Sequence, residues 1–182
     1  AVGAGTASQL TDDGSGHMYP AWSPDGTSIA MWHVPRGTST TAVTTQGRLV
    51  LVPPIGGAER QVFEWTGAAR RISWSPDGRW LAVSPVSVRS HRERGITLVS
   101  PATGEQIDWT TIDKAFAGST DPNFSPDGTQ LAYTRTGDDF LSDVYLADVG
   151  PDGRPGGPPT RLPYGGKEAS HPVWTPDGRS LL

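Results

Sequence analysis

The chain has 182 residues, long enough for one domain with a sizeable core. Its 23 glycines and 17 prolines would break long helices, so the composition argues against a helical bundle and for short strands joined by tight turns. A formal net charge of -4, with the basic residues scattered, gives no surface that would gather a polyphosphate, and nucleic acid is not expected as a direct ligand of this segment. With no cysteine, neither a disulfide nor a thiolate metal centre can form. The longest apolar runs, such as Leu49 to Pro54, are too short to span a bilayer, and no charged-then-apolar signal precedes Ala1. Beginning without Met and stopping at Leu182 inside a repeat, the chain reads as a soluble excerpt of a longer protein.

In chain order, Gln9-Leu10-Thr11 is expected to be the last strand of a unit whose beginning is missing. A short strand ending in an aromatic then leads into Trp22-Ser-Pro-Asp-Gly26, and an alternating strand, Ser28 to Trp32, leads out. Serine, proline, aspartate and glycine in that order suit a type I turn, with proline presetting φ and glycine accepting φ > 0. A third strand, Arg48 to Pro53, a turn at Pro54 to Gly57 and a fourth strand, Arg60 to Glu64, complete the unit. The same succession recurs around Trp74-Ser-Pro-Asp-Gly78, with strands Arg79 to Val83, Ile96 to Ser100 and Gln106 to Thr110. It recurs again around Phe124-Ser-Pro-Asp-Gly128, with strands Gln130 to Tyr133, Asp143 to Asp148 and Thr160 to Leu162. Trp174-Thr-Pro-Asp-Gly178 opens a fourth copy that ends in Ser180 to Leu182.

The motif prolines are 52, 50 and 50 residues apart, the period of a four-stranded propeller blade. The expected organisation is one partial β-propeller: residues 1–16 as the last strand of a preceding blade and a linker, blades at 17–66, 67–116 and 117–166, and the first hairpin of a further blade at 167–182.

The pattern Pro20-Ala-Trp-Ser-Pro-Asp-Gly-Thr-Ser-Ile-Ala-Met31 and its three partners resemble the repeats of TolB-type propellers, distant cousins of WD repeats, over nearly the whole chain. The resemblance implies an all-β fold, an arc of four-stranded antiparallel blades from a ring of six to eight. Propellers of that family occur as the periplasmic partner-binding protein TolB, as substrate-gating domains of prolyl-oligopeptidase-like and tricorn-type peptidases, and as sensory tails of bacterial regulators and kinases. The expectation is a non-catalytic module that binds a protein, peptide or small ligand at the channel mouth, with no cofactor. The substrate-gating half of a serine peptidase and a sensory tail are the alternatives. By resemblance the location leans to the periplasm or another extracytoplasmic space. An open arc, exposing faces that a closed ring buries, is expected to associate with itself.

In such blades, the resemblance implies, the strand before the turn is innermost and begins at the channel mouth. Five places before each motif proline stand Tyr19, Arg71, Asp121 and His171, chemically varied where the turn positions barely vary. They are the candidate binding residues, together with His17 near the same entrance. The loops from second to third strands should reach that face. They carry Arg89, Arg92 and Arg94, which could grip a carboxylate or phosphate or be merely solvated, and Asp138, Asp139 and Phe140, too few carboxylates for a calcium site. Asp25, Asp77, Asp127 and Asp177, each followed by Gly26, Gly78, Gly128 or Gly178, read as structural turn residues rather than acid/base equipment. Trp22, Trp74, Phe124 and Trp174 read as packing between blades.

The histidines at 17, 33, 91 and 171 lack the close spacing of a zinc motif. His17 and His171 are the pair to watch at the rim, and no metal is expected. Without a Gly-x-Ser-x-Gly elbow or a cysteine, no catalytic residue is assigned.

Overall fold

The computed structural model describes residues 9–37, 46–66, 71–84, 95–110, 116–137, 141–163 and 168–182. The first sheet holds β1 (Gly16–Trp22), β2 (Ile29–Val34), β3 (Gln46–Val52) and β4 (Arg60–Thr66), adjacent in that order. The second holds β5 (Ile72–Trp74), β6 (Leu81–Val83), β7 (Thr97–Val99) and β8 (Gln106–Asp108), and the third β9 (Phe116–Phe124), β10 (Gln130–Gly137), β11 (Ser142–Asp148) and β12 (Thr160–Arg161). Every pairing in these sheets is antiparallel between chain neighbours, the up-and-down course of a propeller blade. A bridge between Trp174 and Leu181 starts a fourth hairpin. The fold is the all-β, propeller-type one that the repeat implies. Residues 9–15 form no strand; Leu10 instead packs against Ile29, Met31, Val50 and Val52 on the outer face of the first sheet.

The core lies between the sheets. Along β6, Leu81 and Val83 point to the first sheet and meet Ala30, Trp32, Leu49, Leu51 and Phe63, while Ala82 points the other way. On that second side, Trp80, Leu98, Ile107 and Trp109 meet Phe124, Leu131, Tyr133 and Ala147 of the third sheet. The period of two therefore places apolar side chains on both faces, and β2, β6 and β7 are buried throughout. Burial pushes the Tyr133 phenol up to about 12, so this core residue stays neutral across the physiological range.

Polar stitches fix how neighbouring sheets meet. The Trp74 indole N–H donates to the Ala21 carbonyl (3.0 Å) and the Trp174 indole to the Asn123 carbonyl (3.1 Å). Where phenylalanine replaces tryptophan, the Phe124 amide donates to Ser73 Oγ (3.1 Å). Trp74, Phe124 and Trp174 are thus each bonded to the first strand of the preceding sheet, while Trp22 is 59% exposed.

The turn Gly150-Pro-Asp-Gly153 wedges the third sheet onto the second. The Gly153 carbonyl accepts from the Trp109 indole (2.9 Å), and a Cβ at this position, where φ is +83°, would stand 2.7 Å from Trp80 Nε1. Gly153→Ala is expected to cost about 2–4 kcal/mol, from a left-handed backbone and an overpacked contact together. Urea unfolding of the variant checks this, and a cost under about 1 kcal/mol, the ordinary Gly/Ala backbone difference, would refute the wedge.

Candidate functional site

Each blade has a uniform end and a varied end. At the uniform end, Gly26, Gly78, Gly128 and Gly178 donate their amides to Ser23, Ser75, Ser125 and Thr175, each at 2.9 Å, with φ between 68° and 74°. The hydroxyl of that Ser or Thr donates to the motif aspartate at 2.6 Å in all four copies and accepts the amide five residues on. The carboxylate also accepts the amide two residues on, from Thr27, Arg79, Thr129 and Arg179. These bonds hold Asp25, Asp127 and Asp177 below the usual carboxylate range, the Ser or Thr hydroxyl contributing most. At Asp77, partial burial pushes the other way and is outweighed by the bonds from Ser75 and Arg79. The aspartates are occupied as turn ligands.

Successive turns also stack. A Cβ on Gly128 would touch Pro76 (3.3 Å) and one on Gly178 would touch Pro126 (3.5 Å), whereas Gly78 has nothing within 4 Å. The first and second sheets are splayed at this end, leaving a cleft of about 470 Å³ lined by Asp25, Leu51, Arg60, Trp74 and Asp77.

The opposite end carries the varied residues. Between Met18 and Ala21 the register of β1 on β2 slips, so that Tyr19 and Pro20 together oppose one residue; Asp121 and Pro122 do the same on β9. Tyr19, Asp121 and His171 have φ of 55°, 53° and 58°, left-handed values that cost a non-glycine residue about 1–3 kcal/mol each. Each precedes a proline, which has no N–H to contribute to the ladder and so tolerates the bulge. At Tyr19 and Asp121 the bulge takes the side chain ahead of proline out of the sheet alternation.

Three of the four candidates are brought together there. The Asp121 carboxylate, buried but for 7% of its side chain, accepts from Thr120 Oγ1 (2.8 Å) and lies 3.7 Å from His171 Nε2. The His171 amide donates to Thr134 Oγ1 (3.0 Å), and Arg71 Nη1 donates to the Pro172 carbonyl (3.4 Å). A guanidinium, an imidazole and a carboxylate from three successive blades thus share one patch, with exposed Tyr19 on the first blade. Arg89, Arg92, Arg94, Asp138, Asp139 and Phe140 lie outside the described residues.

His17 is drawn elsewhere. It pairs with His33 across β1 and β2, rings edge-to-face at 5.0 Å, and not with His171, which the Asp121 contact occupies. Glu59, just before β4, bridges the two histidines, with Oε1 2.5 Å from His17 Nε2 and Oε2 2.7 Å from His33 Nδ1. Asp13 Oδ2 stands 3.7 Å from His33 Nδ1. The sequence hides this pairing because of the bulge: counting back from the turn without it sets His17 opposite Val34, and the extra residue moves His17 onto His33. Nothing in the sequence marks Glu59 or Asp13, which arrive through connections.

No family model matches the chain. Over 64 residues it is 38% identical to an uncharacterised peptidase, YuxL, of Bacillus subtilis (strain 168), a stretch covering 35% of this chain and 9% of that protein. Among solved structures it is similar to TolB from Acinetobacter baumannii (TM-score 0.69, 21% identity, 92% of this chain and 37% of that one). It is similar also to an oligogalacturonate lyase in complex with manganese (TM-score 0.69, 16% identity, 92% of this chain and 46% of that one). The β-propeller domain of the Trilobed protease from Pyrococcus furiosus aligns with a TM-score of 0.59 at 14% identity, over 88% of this chain and 45% of that one. The protein therefore has a TolB-like β-propeller fold, and it spans less than half the length of each of these relatives. No helix among the described residues is long and apolar enough to cross a membrane.

The turn aspartates predict an acid dependence. A folded-state pKa below the unfolded value of about 3.9 gives stability that is present above that pH and lost as pH falls through the folded value. Asp127→Asn keeps an acceptor but does not titrate. The variant should melt lower than wild type at pH 7, and the gap should narrow below about pH 4. An equal gap at pH 7 and pH 3 would show that ionisation of Asp127 is irrelevant to the turn.

Proposed function

We propose that this protein is a non-catalytic propeller module that binds a protein or peptide segment at the rim formed by Arg71, Asp121 and His171, with Tyr19 beside them. The observation that carries this reading is the repeated left-handed residue before proline. Tyr19, Asp121 and His171 adopt the same strained backbone at the same place in three blades, yet their side chains are chemically unrelated. Strain kept at a position that the scaffold leaves free to vary points to presentation of the side chain rather than to packing. The mix of charges suits a polar peptide: the guanidinium takes a carboxylate or backbone carbonyl, the Asp121–His171 pair an amide or ammonium, and Tyr19 an apolar side chain. By family resemblance the module works outside the cytoplasm.

The local match to a peptidase and the likeness to a protease propeller support a second reading, in which the same rim filters peptides for a catalytic domain elsewhere in a longer protein. Both readings assign the same rim and differ only in what lies beyond it.

Arg71→Ala, Asp121→Asn and His171→Ala combined should leave the far-UV spectrum and cooperative unfolding intact while abolishing enrichment of peptides from a displayed random library. A variant that fails to fold, or one that enriches the same peptides as wild type, would remove the rim as the binding site.

A further inference from the structure

We propose that Asp13, His17, His33 and Glu59 form a binding site for one divalent transition-metal ion, zinc fitting best, separate from the rim patch of Arg71, Asp121 and His171. The four side chains each offer one donor atom, and these atoms lie within 4.8 Å of one another. They come from β1, β2, the connection into β4 and the segment before β1, which is how a folded chain and not a sequence motif assembles ligands. Tetrahedral zinc at about 2.0–2.1 Å from each ligand sets neighbouring donors about 3.3 Å apart. Reaching that from the observed 2.5, 2.7 and 3.7 Å contacts, and from donors up to 4.8 Å apart, needs side-chain adjustments of about 1–1.5 Å and no change of strand register.

The donor set is selective. Two imidazoles and two carboxylates neutralise a divalent charge with two neutral and two anionic ligands, and nitrogen donors favour zinc over magnesium or calcium, which take oxygen. The burial is graded in a useful way, His33 at 5% and His17 at 12% side-chain exposure inside the sheet, Glu59 at 22% and Asp13 at 45% towards solvent, leaving an entry path. With four protein ligands the site is a closed, structural one. It would tie residues 9–15 and the connection into β4 to the innermost hairpin, where Leu10 alone provides apolar packing.

The outer contacts decide how readily the metal enters. His17 Nδ1 faces Thr11 Oγ1 at 3.2 Å, and a hydroxyl can donate or accept, so the His17 tautomer is free to present Nε2 to a metal. His33 Nε2 instead faces Arg48 Nη2 at 3.1 Å, and a guanidinium only donates. In the metal-free protein that contact keeps the His33 proton on Nδ1, pointing at Glu59. Metal at Nδ1 requires the proton on Nε2, so Arg48 must swing away. Arg48 therefore acts as a positioning residue that opposes binding.

The test is calorimetric titration of the tag-free, chelator-stripped chain with zinc chloride and, separately, magnesium chloride. Expected are one saturable zinc per chain, no magnesium binding, and a melting temperature that rises with zinc as mass action requires. Glu59→Gln, close in shape and therefore safe for folding, should weaken zinc at least about tenfold, and His33→Ala should abolish it. His171→Ala should leave it unchanged, and Arg48→Gln, which offers an acceptor to Nε2–H, should tighten it. No stoichiometric zinc binding, or binding that survives Glu59→Gln at full affinity or vanishes with His171→Ala, overturns the site. Weakening by Arg48→Gln overturns ligation through His33 Nδ1.

Discussion

The second sheet is apolar on both faces, and such a sheet reaches a dry environment only when each side is covered; here a neighbouring sheet covers each. Leu81 and Val83 on one face of β6 and Ala82 on the other show the constraint in three consecutive residues, all of them fully buried. Stacking then fixes the relative placement of everything else. The indole of Trp74 on the Ala21 carbonyl and that of Trp174 on the Asn123 carbonyl join only the innermost strands, so the blades converge at that edge. The Gly153 wedge between Trp80 and Trp109 holds the second and third sheets together elsewhere in their interface.

Because blades stack in parallel, corresponding ends of equivalent strands come together. At the turn end the hydroxyl, carboxylate and glycine amide satisfy one another inside each motif, which leaves those polar groups little capacity for a ligand. At the other end the backbone leaves the regular ladder through a bulge and a proline, and the residue ahead of the proline is turned out of the sheet. Asp121 and His171 meet through stacking alone: fifty residues apart in the chain, they become neighbours because their blades are neighbours. Arg71 reaches the same patch by its contact with Pro172.

The same bulge that presents Tyr19 also changes the pairing below it. One extra residue in β1 shifts His17 onto His33, and Glu59 and Asp13 then close over the pair. The one bulge thus has a second consequence, on the face of the first sheet turned away from the second. Arg48 stands at the junction, holding His33 in the tautomer that suits the metal-free protein.

The sequence by itself determined the repeat, the four turns and the strands around them. Those depend on short-range preferences, proline's fixed φ, glycine's left-handed φ, alternation of apolar residues, that act within a few positions of the chain. The turn role of Asp25, Asp77, Asp127 and Asp177 was legible for the same reason, since their hydrogen bonds close within two residues. The positions of Tyr19, Arg71, Asp121 and His171 were legible as equivalent, but their left-handed backbone and mutual contacts were not, and neither was the Asp13, His17, His33 and Glu59 cluster. Only the tertiary structure decided these, because a bulge shifts register by a single residue and blade stacking joins residues as much as 101 positions apart, and neither leaves a local pattern to read.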